Sequence, residues 1–168
     1  MQILLLPLVA LILFYIDTMI NYFLPLHLFH VDFYWVSHLV LVYLLILTVY
    51  KNANIAMIIG VLFGIISDVY LGTVYGVYTF GYLILIFLMN QLFKVFYKDI
   101  KMMIVLFLSF IAIFEHFEYI VFHILGFTQM NYFIFILTYV LPSMCINLLM
   151  ILLVFPLVLK FLDRYVID

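Results

Sequence analysis

Charge is scarce in this chain: 168 residues carry only 6 Lys and Arg and 8 Asp and Glu, 8% of the whole. A soluble domain devotes about 25% of its residues to charge, so a water-facing fold is excluded. Cysteine is almost absent too. The single Cys145 lies in an apolar stretch and has no partner, which excludes an internal disulfide and a thiolate metal cluster; it reads as a small packing residue. There is no Gly-x-Ser-x-Gly elbow, no His-Glu-x-x-His pair, no phosphate-binding glycine loop ending in Lys, and no Cys and His pair suited to nucleophilic work. The residues therefore predict no enzyme and no catalytic site. Also missing are internal repeats and low-complexity linkers, so 1–168 reads as one domain.

What fills the chain instead is apolar: 71% of residues, with a mean hydropathy of +1.44. Such a composition belongs in a lipid bilayer. A membrane helix needs about 20 apolar residues, and the pattern predicts six spans at about 3–24, 33–50, 55–71, 74–93, 102–125 and 132–159. The expected fold is therefore all-α and integral to the membrane, a single bundle of six transmembrane helices. The second and third spans are the shortest, since about 17 residues rise only about 25 Å, which suits a short hairpin in locally thinned bilayer.

Every Lys and Arg falls at Lys51, in the group Lys94, Lys98 and Lys101, or at Lys160 and Arg164. With six spans these positions share one side, and the positive-inside rule places that side and both termini in the cytoplasm. The opposite loops, 25–32, 70–73 and 126–131, carry no Lys or Arg. The first segment lacks a basic n-region and a clear cleavage site, so it reads as a retained span rather than a signal peptide. The basic group between the fourth and fifth spans is topological and contacts anionic lipid; no nucleic-acid partner is expected. Trp35 and many tyrosines read as interfacial anchors.

Inside the spans, small residues recur at four-residue steps: Gly60, Gly64, Asp68, Gly72 and Gly76, with Gly81 five further on. In lipid, apolar burial no longer drives helix contact, and small residues let backbones approach until van der Waals contact holds them. The stripe fits either packing within the bundle or docking of a partner helix. Asp68, near one end of it, is expected to accept backbone N–H groups at the start of the next helix.

Asp17, Asp68, Glu115 and Glu118 lie within or near spans, where an ionised carboxylate costs about 2.5–3.5 kcal/mol at the bilayer centre. Glu115 and Glu118 share a face of the fifth span, while His116 and His123 form a second stripe. The Glu-x-x-His pairing of bundle metal sites is absent. Structural hydrogen bonding is the favoured role, with Asn90, Ser143 and Asn147 as candidate partners; a proton relay is the alternative. No metal and no cofactor is expected. Ser143 and Asn147 share one stripe of the last span, and Pro142 and Pro156 mark kinks within it.

The stretch 58–94, IIGVLFGIISDVYLGTVYGVYTFGYLILIFLMNQLFK, resembles the rod shape-determining MreD family, in particular its Gram-positive branch, where a Gly-x-x-x-Asp step precedes a Gly-Val-Tyr-x-Phe-Gly segment. FEYIVF at 117–122 resembles the family's acidic fifth-helix segment, and LPSMCINLLMILLVFPLVLKF at 141–161 its last helix, with the same order of Pro, Asn and Pro. The positions that carry over are Gly64, Asp68, Gly76, Gly81, Glu118, Pro142, Asn147 and Pro156.

The resemblance implies a non-enzymatic subunit of the bacterial cell-wall elongation machinery, in the plasma membrane. It would bind MreC and work with the RodA glycosyltransferase, a class B penicillin-binding protein and the actin-like MreB, directly or indirectly; a homodimer stays open. The family is also similar in fold to the substrate-binding subunits of energy-coupling-factor transporters. The rival reading is accordingly a binding subunit for a vitamin or metal ion, against which stand the short apolar outer loops and the lack of a small residue four from Ala10.

Overall fold

The computed structural model describes residues 5–23, 26–28, 31–71, 74–93 and 99–165. Gly72, Lys94 and Lys98 lie outside the described residues. Helix α1 (Leu5–Phe23) leads into a two-stranded antiparallel hairpin, β1 (Leu26–Leu28) and β2 (Val31–Phe33), that pairs Leu26 with Phe33. Then come α2 (Leu39–Tyr50), α3 (Ala53–Tyr70), α4 (Val77–Leu92) and α5 (Ile100–Ile124). The last pass is α6 (Tyr132–Phe135), a π-helical turn (Ile136–Val140) and α7 (Leu141–Tyr165), which follow one another without interruption.

Four of these passes are long and apolar enough to cross a membrane: α1, α3, α5 and the run 132–164. The second and fourth of the six expected spans are shorter helices than their expected bounds. Apolar character over 33–50 predicts a helix throughout, yet Phe33 belongs to the hairpin and 34–38 is not helical. Only 12 residues remain in α2, which rise about 18 Å against a hydrocarbon core of about 30 Å. Helix α4 starts at Val77 rather than 74, because Gly76 just before it holds φ +100, outside the helical region.

Helix α2 is the axis of the bundle. Every residue from Leu39 to Val49 is buried, as expected of a helix apolar all round, and α2 touches α1, α3, α4, α5 and α7. The Tyr43 hydroxyl within it donates to the Leu6 carbonyl at 3.0 Å. The surrounding helices turn apolar side chains outward, among them Leu8, Ile58, Phe80, Val105 and Leu153. Cys145 is also exposed, so it is not a packing residue of the core.

Candidate functional site

The polar chemistry of the bundle gathers around the stretch 34–38. In lipid, non-helical backbone survives only where the protein satisfies its N–H and C=O groups, and here two flanking helices do so. From α1, Asn21 Oδ1 accepts the Ser37 N–H at 2.7 Å and Asn21 Nδ2 reaches the Ser37 carbonyl at 3.4 Å. From α7, Ser143 Oγ accepts the Val36 N–H at 3.2 Å, Asn147 Oδ1 accepts the His38 N–H at 2.9 Å, and Asn147 Nδ2 donates to the Val36 carbonyl at 2.7 Å. The Tyr34 N–H donates to the Thr138 carbonyl at 2.9 Å. Four residues on stands Pro142, which has no N–H to offer that carbonyl. The proline and the π-helical turn before it thus free an acceptor for the non-helical segment.

Asp17 completes this clamp. Its Oδ1 accepts from Ser37 Oγ at 2.6 Å and from the Leu39 N–H at 2.8 Å, and its Oδ2 accepts the Val40 N–H at 2.9 Å. The first N–H groups of a helix have no intrahelical acceptor, so a carboxylate from α1 caps the N-terminus of α2. Asp68 does the same for α4. Its Oδ1 accepts the Tyr78 N–H at 2.8 Å, and its Oδ2 accepts the Thr79 N–H at 3.1 Å and Thr79 Oγ at 2.6 Å.

The glycines surround this second cap. A Cβ on Gly64 would stand 2.5 Å from the Thr79 Cα, so the backbones of α3 and α4 meet there; a Cβ on Gly60 would meet the flexible Ile86 Cδ1 at 2.8 Å. A Cβ on Gly81 would overlap the Phe114 ring of α5. Gly60, Gly64 and Gly81 are buried, and each faces a neighbouring helix of the same bundle.

Between the clamp and α5 lies a cavity of about 260 Å³. Its lining includes Val36, Tyr78, Glu115, Glu118, Tyr119 and Tyr139. Thr128 and Met130, from the connection 126–131, also line it. Tyr119 is fixed by donating its hydroxyl to the Met130 carbonyl at 2.8 Å and by stacking on Phe135, 4.4 Å between ring centroids. Tyr139 stacks on Tyr34 at 4.2 Å. His38 Nε2 stands 3.4 Å from Glu115 Oε1. Glu115 is 5% exposed, yet neither of its oxygens has a hydrogen-bond partner, nor does Glu118 Oε1.

Asn147 and Ser143, candidate partners for these glutamates, bind the backbone of 34–38 instead. His123 is exposed and stacks on Tyr119, while Pro156 sits inside α7, which continues through it. Trp35 is half-buried in the non-helical segment with its indole N–H unpartnered. Sequence reasoning recognised Asp17 as a costly intramembrane acid without assigning its targets, and gave no role to Asn21, Ser37, His38 or Tyr78. The available signal was the pair Asp17 and Asn21, one turn apart near the end of an apolar helix, facing the polar pair Ser37 and His38 inside an apolar run.

Among the described residues, no group of three or more His, Cys, Asp and Glu side chains is placed to hold a metal ion. A family model described as rod shape-determining protein MreD matches residues 1–165. No curated protein and no solved structure matches the chain, so the expected likeness to energy-coupling-factor subunits has no structural match behind it. A match over nearly the whole length, on a bundle with four membrane-length apolar helices, is decisive: the chain belongs to the MreD family, structural membrane proteins of rod-shape determination.

Proposed function

We propose that this protein is a non-enzymatic membrane subunit of the bacterial cell-wall elongation machinery, binding MreC and helping to organise peptidoglycan synthesis alongside RodA, a class B penicillin-binding protein and MreB. The observation that carries this reading is the family match over residues 1–165. The use of polar side chains supports it: Asp17, Asn21, Asp68, Ser143 and Asn147 hold backbone, which builds a rigid body rather than a reaction centre.

In this reading the chain makes six passes of the bacterial plasma membrane, two of them short, with both termini in the cytoplasm. Lys51 between α2 and α3, Lys101 in the first turn of α5, and Lys160 and Arg164 near the end of α7 then fall on one side, as the positive-inside rule requires. Gly60, Gly64 and Gly81 serve internal packing, and a partner helix docks on the outward apolar faces.

Affinity purification of the tagged protein from native membranes in mild detergent, with mass spectrometry of proteins and small molecules, tests the reading. Co-purification of MreC with wall-synthesis enzymes is the expected outcome. Recovery of a transporter ATPase module with a bound vitamin replaces it with the rival.

A further inference from the structure

We propose that the cavity between 34–38 and α5 binds a small organic ammonium cation, held by Glu115 and Glu118 beside the aromatic wall of Tyr119, Phe135 and Tyr139.

Three independent observations converge there. The first is the set of orphaned acceptors: Glu115 Oε2 and Glu118 Oε1 are buried without a hydrogen-bond partner, and Glu115 Oε1 has only His38 Nε2 at 3.4 Å, whereas nearly all buried polar atoms in native proteins have one. All three belong to residues that line the same cavity. A ligand carrying N–H donors or a diffuse positive charge supplies what they lack.

The second is charge. His38, 3.4 Å from Glu115, contributes at most one positive charge against two carboxylates. Among the described residues no Lys or Arg lines the cavity, and Lys101, on the same helix, stands 14 residues before Glu115, about 21 Å along the axis. An anionic ligand is therefore repelled, and a monocation brings the cluster to neutrality in a medium where uncompensated charge is expensive.

The third is the wall. Tyr119, Phe135 and Tyr139 form a continuous stack, with centroids 4.4 and 5.7 Å apart. Tyr139 is stacked on Tyr34 and Tyr119 on His123 as well, so the rings offer the alkyl carbons of such a ligand a rigid apolar wall beside the carboxylates that take its charge. At about 260 Å³ the cavity falls just below the range of about 300–1,000 Å³ that takes drug-sized ligands, so the ligand is the size of a headgroup. A free amine and the amine headgroup of a phospholipid share this chemistry.

The test uses the full chain. Thermal unfolding is followed in detergent with choline chloride or ethanolamine hydrochloride, against sodium chloride at equal ionic strength. A parallel arm compares nanodiscs of phosphatidylglycerol alone with nanodiscs that also contain phosphatidylethanolamine, and native mass spectrometry reads the retained lipid. A saturable rise in the midpoint with free amines assigns a soluble ligand, and a rise confined to the phosphatidylethanolamine discs assigns a lipid; both support the proposal. Glu118→Gln and, separately, Glu115→Gln should each weaken the response roughly tenfold, with the fold retained. Equal shifts with sodium chloride, no shift with any amine, or full amine binding by Glu118→Gln would overturn it. So would amine-inert wild type combined with loss of MreC retention in Glu118→Gln, which would give the cavity to a partner's side chain. The proposal does not rest on the scaffold reading, since the amine response is measured on the isolated protein.

Discussion

The hairpins α1–α2 and α3–α4 solve one problem in two ways. In each, an Asp near the end of a long helix caps the start of a short one, Asp17 at Leu39 and Val40 and Asp68 at Tyr78 and Thr79. The approach to the short helix differs. Before α4 the chain passes through Gly76 at φ +100, and close contact between Gly64 and Thr79 holds the carboxylate at its targets. Before α2 it runs non-helical through 34–38, and Asn21, Ser143, Asn147 and the Thr138 carbonyl are all recruited to hold it. One carboxylate is enough where a glycine turn delivers the helix. Non-helical backbone inside an apolar bundle requires a second helix, which ties α7 to the first hairpin.

The comparison can be broken most severely at Gly64. Gly64→Leu places a branched side chain where even a Cβ would sit 2.5 Å from the Thr79 Cα, so α3 and α4 must separate. The expected result is loss of the monodisperse, folded species on size exclusion. Asp17→Ala comes next, because it strands two helical N–H groups and the Ser37 hydroxyl in an apolar setting. At about 1–3 kcal/mol for each unsatisfied buried group, a loss of about 3–5 kcal/mol in reversible unfolding in detergent is expected.

Asn147→Leu keeps the bulk but deprives the His38 N–H and the Val36 carbonyl of their partners, for about 2–4 kcal/mol. A reduction confined to α7 would show as faster proteolysis of that helix, whereas the structure predicts increased hydrogen exchange at 36–40 as well. Asp68→Ala should cost less than Asp17→Ala, about 2–3 kcal/mol, since no segment like 34–38 depends on it; equal losses would erase the distinction between the hairpins. The mildest change is Ser143→Ala, which removes one acceptor at 3.2 Å from Val36 and should lower stability by about 1 kcal/mol.

The role of Asp68 was legible, because a carboxylate beside a glycine turn that precedes an apolar run has few other acceptable uses in lipid. The role of Asp17 was not. Its targets lie 22 and 23 residues away, across a hairpin that the apolar character of 33–50 conceals. Hydropathy measures whether a segment is stable in lipid, and both a helix and a non-helical segment held by neighbouring polar side chains meet that condition. For the same reason Asn147 and Ser143 could be recognised as buried polar residues needing partners, but not matched to Val36 and His38. The glutamates of α5 were legible as costly intramembrane acids, while the cavity that leaves them unpartnered depends on the placement of 34–38.

Composition and the placement of six basic residues were sufficient to determine a membrane bundle with few polar side chains, because the transfer of charge into lipid is prohibitive whatever the fold. Which passes are complete helices, which glycines meet a backbone, and what each buried carboxylate binds were decided only by tertiary structure. Those outcomes depend on distances between segments far apart in the chain, and hydrogen bonds of about 3 Å are made or lost by displacements that no local pattern records.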